Sequence, residues 1–141
     1  MRKYASVQFN EQNPSSTNFV IMNNSVIPYL NQIPTVSHTD FLRKLEAQLA
    51  KDLYPVDWGE TAQEPSATAI LDCLHKAVSR LILEHNSSLG QVLYRIDIPE
   101  GKIRSLMAAT AAEERVQVLA SQILEREAKK VWLRMHFSEK A

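Results

Sequence analysis

Apolar positions along the chain fall into two regimes that meet near residue 37. Phe41, Leu42, Leu45, Leu49 and Leu53 recur at three and four residues, the spacing of one buried helical face, until Pro55 ends the run. Ser37 and Asp40 precede it as a capping-box pair, and Val36 is placed to staple onto Phe41. Residues 55–65, with Asp57, Trp58, Gly59 and two prolines, read as a loop. A second stripe, Ile70, Leu71, Leu74, Val78, Leu81 and Ile82, keeps its phase through Leu89, Val92, Leu93 and Ile96. Against that continuity, Asn86, Ser87 and Ser88 are poor helix formers, and Ser88 with Gln91 repeats the capping-box pattern. A break or kink near residue 86 is therefore expected. Pro99 and Gly101 mark a turn before a short helical piece carrying Ile103, Leu106 and Met107. Thr110 with Glu113 then opens a long last helix, whose inner face reads Val116, Leu119, Ala120, Ile123, Leu124, Val131 and Met135.

Residues 1–37 have a different character: six asparagines, three prolines and only three charges, Arg2, Lys3 and Glu11. Phe19 to Met22 and Ser25 to Leu30 are β-prone runs around Asn23 and Asn24, which suit a tight hairpin turn. Pro28 confines the second run to an edge strand or an extended arm. An isolated hairpin is marginal in water, so the arm docks on the helices, docks on a second copy of the chain or stays mobile, and its apolar side chains favour docking. The expected fold is mainly α: an antiparallel bundle of four to five helices over residues 38–141, preceded by an Asn-rich extended or β-hairpin arm over residues 1–37.

At 141 residues the length is that of one domain able to bury a core without disulfides. Sixteen basic residues balance sixteen acidic ones, so no global field draws in nucleic acid or an acidic membrane. Cys73 is the only cysteine, which rules out an intramolecular disulfide and a multi-thiolate zinc site and points to a reducing, cytoplasmic compartment. No apolar run follows Arg2 and Lys3 and none is long enough to span a bilayer, so neither export signal nor membrane span is expected. The three glycines, Gly59, Gly90 and Gly101, are too scattered to form a phosphate-cradling loop. No cofactor or metal is indicated.

Candidate chemistry comes from residues that interrupt the apolar stripes. Glu127 falls between Ile123, Ala120, Leu124 and Val131, Arg134 lies one heptad further on, and His85 holds the equivalent place in the second helix. If those faces meet, His85 and Glu127 form a proton-transfer pair; the plainer reading is a glutamate clamped by Arg80, Arg95 or Arg134 and a histidine satisfied by backbone. Arg80 and His85 also have a spacing found in some all-helical ribonuclease toxins, although with this many arginines and histidines it arises readily by chance. Asp72, Cys73 and His75 share one helical turn but lack the inward carboxylates a metal bundle needs. Arg126, Lys129, Lys130 and Arg134 read as a solvated helix face, with Glu127 available to Lys130 at i+3. Val118, Trp132, Leu133 and Phe137 point away from the inner stripe and have the composition of an interface. The function these features suggest is a non-catalytic intracellular interaction or assembly protein, self-associating or homodimeric through that face. The alternative is a small metal-independent ribonuclease-like enzyme using His85, Glu127 and Arg80.

Overall fold

Stripes spaced at three and four leave water only when one helical face turns toward another, and the computed structural model is mainly helical for that reason. It describes residues 26–59 and 64–140, with six α-helices and no strand among them. They are α1 (Ile27–Leu30), α2 (His38–Asp52), α3 (Ala67–Glu84), α4 (Leu89–Ile96), α5 (Glu100–Ala108) and α6 (Arg115–Lys140). Short 3₁₀ turns precede α2, α4 and α6. No helix among the described residues is long and apolar enough to cross a membrane.

The break expected near residue 86 is the 3₁₀ turn Asn86–Ser88, entered from His85 at the C-cap of α3. The capping-box readings fare differently. Ser37 and Ser88 adopt αR backbone as the last residues of 3₁₀ turns, and neither side chain makes a cap hydrogen bond. Thr110 donates backward to the Leu106 carbonyl, and α6 starts only at Arg115, after another 3₁₀ turn. Ser66, in extended backbone, does cap its helix by accepting from Ala69 N–H at 3.1 Å. Val36 is 89% exposed, so no staple forms on Phe41.

The β reading of Ser25 to Leu30 is corrected over its described part. Tyr29 and Leu30 N–H both donate to the Val26 carbonyl, closing one helical turn. Pro28 suits the first turn of a helix, where its missing N–H goes unused. Val26 is buried, and Tyr29 lies 6.5 Å from Phe41 and 5.9 Å from Trp132 between ring centroids. His38 Nε2 reaches back to the Leu30 carbonyl at 2.7 Å, tying this turn to α2. The Phe19 to Met22 run and the Asn23, Asn24 turn lie outside the described residues.

The core joins Phe41, Leu45, Leu49 and Leu53 with Ile70, Leu74, Leu81, Leu93, Ile96, Leu119 and Ile123, each almost wholly removed from water. Helix α6 is its spine, packing against α2 and α3 along most of their lengths and against α1, α4 and α5 more locally. Gln48 pairs with Arg134 and Asp52 with Lys130, so α2 and α6 run in opposite directions. The loop after α2 is part of the core rather than a solvent loop: Val56 and Trp58 are buried, and Trp58 Nε1 donates to the buried Glu46 carboxylate at 3.0 Å.

Candidate functional site

Glu127 is the fully buried carboxylate its place in the stripe announced. Its ionic neighbours are Lys130, one turn along α6, and Asp52, at the end of α2. Asp52 is itself 3% exposed. The Lys130 ammonium stands 2.9 Å from both carboxylates. Its geometry closes a hydrogen bond on Asp52, whereas no hydrogen bond reaches either Glu127 oxygen, so the contact with Glu127 is Coulombic. Gln48 Nε2 donates to the same Asp52 oxygen at 2.7 Å, and Arg134 donates to Gln48 Oε1 at 2.9 Å. A polar relay thus runs from the surface, Arg134, through Gln48 and Asp52 to the buried Glu127.

Two helix ends meet at this point. Arg95 donates to the carbonyls of Asp52 and Tyr54, at 2.8 and 2.9 Å, where α2 stops. Lys130 donates to the Arg95 carbonyl in the last turn of α4. Each C-terminus carries unpaired carbonyls worth about half a negative charge. One ammonium and one guanidinium therefore face two carboxyl groups and two helix C-termini, and the excess of negative ends favours retaining a proton.

The titration behaviour agrees with that inventory. Burial pushes the Glu127 carboxyl up, Lys130 opposes it and the Asp52 charge adds to it, leaving it at about 8. Burial also pushes Asp52 up, but hydrogen bonds from Gln48 and Lys130 outweigh it and hold that carboxyl below its ordinary value. Burial pushes Lys130 down, and its contacts with Glu127 and Asp52 more than reverse this, so the ammonium stays charged. With Glu127 raised and Asp52 lowered, a proton shared by the acid pair favours Glu127. Asp52 is the carboxylate acting on Glu127, so a protonated Glu127 has an acceptor beside it.

The other candidates from the sequence lie elsewhere. His85 is half-buried at the C-cap of α3 and is not among the groups acting on Glu127. Arg80 donates to the Asp57 carbonyl at 3.1 Å and lines a shallow basin with His75, Lys76 and Ser79. Cys73 is half-buried against the core, and among the described residues no group of three or more His, Cys, Asp or Glu could hold a metal ion. Lys130, read from the sequence as solvated, keeps only 19% of its side-chain exposure. Arg126 pairs with Asp97 at 2.6 Å. On the far side of α6, Val118 and Leu133 are half-buried and Phe137 is exposed. Trp132 is covered by Tyr29 and stacks on His136 at 4.9 Å.

Beside the relay, α2 and α6 diverge into a groove of about 420 Å³. Ala47, Val131 and Met135 supply its apolar lining, and Asp40, Lys44, Lys51 and Arg134 its charged rim. Gln48 belongs to both, lining the groove and holding Asp52.

Asp52 was open to detection in the sequence: at about 100° per residue it falls between Phe41 and Leu45 on the α2 wheel, as Glu127 does on α6. Glu46 lies at the edge of the same stripe, next to Leu53. The groove had no comparable signal, because it depends on how two helices diverge. Comparison with known proteins supplies no relative, since no family model, no curated protein and no solved structure matches the chain.

Proposed function

We propose that the chain is a non-catalytic protein-interaction module, an antiparallel helical bundle that takes a partner in the groove between α2 and α6. The observation that carries this reading is the groove, whose volume of about 420 Å³ lies within the usual range for binding sites, ~300–1,000 Å³. A mixed lining, apolar below and charged at the rim, is the composition of an interface. Against the enzyme reading, the perturbed carboxyl Glu127 is wholly buried and its ionic neighbours are Asp52 and Lys130. A group sealed in this way, in a network that also ends two helices, serves structure.

The test places a photocrosslinking side chain at Ala47 in cells, with the exposed Gln91 on α4 as control. Specific adducts at 47, lost when Met135→Arg fills the groove, support the reading. Equal labelling at both positions, or none at 47, overturns it.

Self-association through Val118, Leu133 and Phe137 is a second reading, favoured by the 61% exposure of Phe137. Trp132 contributes less to such a face, since Tyr29 already covers it. Sedimentation at high concentration separates the two readings: a monomer that still crosslinks at 47 leaves only the groove.

A further inference from the structure

Resting on the groove reading, we infer that the occupant is an amphipathic helix of another protein, carrying acidic residues on both edges of an apolar stripe. Three observations specify it. First, charge is uncompensated on both banks. Lys44 is paired with Asp40, but Lys51 on α2 and Arg134 on α6 have no carboxylate partner among the described residues. Arg134 rests on the neutral oxygen of Gln48. Exchange for a carboxylate turns this contact into an ion pair, in which the guanidinium can bind both oxygens at once.

Second, the spacing is helical. Lys44 and Lys51 are one heptad apart on α2, about 10 Å along its axis. Two acids seven residues apart on an antiparallel or parallel partner helix meet Lys51 and, in competition with Asp40, Lys44. Arg134 then faces an acid on the partner's other edge, with Ala47, Val131 and Met135 beneath the apolar stripe, the arrangement of flanking charges around a coiled-coil seam.

Third, the banks are helices whose backbone groups are satisfied internally, so the groove offers an extended strand no ladder to join. A helix brings its own hydrogen bonds and needs only side-chain contacts. A compact anion fits less well, because the two unpaired cations stand on different helices across an apolar floor rather than on one.

Among the described residues, the chain's own helices do not supply this pattern. Of the large apolar side chains left exposed on helices α3, α4 and α6, Leu83, Tyr94 and Phe137 stand singly rather than in a stripe.

The probe is a synthetic helix of about 18 residues with a leucine stripe spaced at three and four and glutamates on both edges. A twin with lysine for every glutamate and a scrambled peptide of the same composition serve as controls. Fluorescence anisotropy with the full chain should show binding of the acidic peptide alone, weakening as salt shortens the screening length below ~10 Å. K51E/R134E should lower that affinity at least tenfold and admit the lysine peptide. Both sites are exposed, and K51E alone gives the same direction should the double variant lose helical circular dichroism. Equal binding of the acidic and basic peptides, no binding of either, or an affinity that charge reversal leaves unchanged overturns the inference. Persistence of the residue 47 adducts in any of those cases shows that the groove reading stands and that only the occupant's chemistry is wrong.

Discussion

Replacing Glu127 by Gln should stabilise the protein, and increasingly so as the pH rises. The substitution keeps the shape of the protonated carboxyl and its ability to donate to Asp52, while removing the titrating proton. In the folded chain Glu127 titrates at about 8, against 4.5 for the free side chain. Below about pH 4.5 the folded and unfolded chains both hold this proton, and the site has no pH dependence. Between 4.5 and about 8 the folded chain holds a proton that the unfolded chain has released. The unfolded state then binds fewer protons, so stability falls as pH rises through that window and levels off above it.

The slope attributable to Glu127 is about 1.4 kcal/mol per pH unit. From about pH 4.5 to neutrality this sums to roughly 3 kcal/mol, and across the whole window to about 5 kcal/mol, an upper figure because water entry and side-chain relaxation soften it. Urea unfolding of wild type and Glu127→Gln at half-unit steps from about pH 4 to 9 isolates the site, since other titrating groups cancel in the difference. The two curves should meet at the acid end and separate in favour of the glutamine variant toward the alkaline end. A difference that is flat with pH, or curves that converge at the alkaline end instead, would refute the protonated-acid account and mean that Lys130 keeps Glu127 ionised.

Three further outcomes follow from the same contacts. Lys130→Met removes the ammonium shared by Asp52, Glu127 and the Arg95 carbonyl, and leaves the Asp52 charge buried; a loss of ~3–5 kcal/mol in urea unfolding at neutral pH is expected. Trp58→Phe keeps an aromatic ring but deprives the buried Glu46 of its donor, costing about 1–3 kcal/mol in the same assay. Ser66→Ala should cost about 1 kcal/mol because its hydroxyl caps α3, whereas Ser37→Ala and Ser88→Ala, which cap nothing, should stay within ~0.5 kcal/mol in thermal or urea unfolding.

Periodicity made the long helices legible because their stripes span several turns: Phe41 to Leu53, Ile70 to Ile82 and Val116 to Met135 all face the interior in large part. It also located Glu127 on the buried face. What it could not deliver were helix starts, since a capping box is a local pattern while the backbone angle at the serine is set by the chain before it. At Ser37 and Ser88 a preceding 3₁₀ turn fixes αR backbone and turns the hydroxyl away. Glu127's partners were equally hidden. Arg134 shares its phase and His85 holds the equivalent place in the second helix, but Asp52 lies on α2, 75 residues earlier, and only tertiary packing brings it to Glu127. The same holds for Trp132, which reads as an outward residue until Tyr29 folds over it.

The buried polar cluster does more for specificity than for stability. Apolar stripes built from Leu, Ile, Val and Ala tolerate sliding, because one turn further along presents a face of similar size and greasiness. Moving α6 by one turn past α2 shifts Lys130 about 5 Å along the axis. The 2.9 Å contact of Lys130 with Asp52 then breaks, Glu127 leaves its place beside Asp52, and Arg126 or Arg134, one turn away, is carried toward the position of the ammonium. Gln48 loses Arg134 in the same step. One register satisfies all four side chains, and the neighbouring ones put a larger planar guanidinium where a compact ammonium fits. That register also sets Lys51 and Arg134 on facing banks of the groove. The charge pattern offered to a partner is therefore held in place from inside the protein, through the buried contact of Lys130 with Asp52.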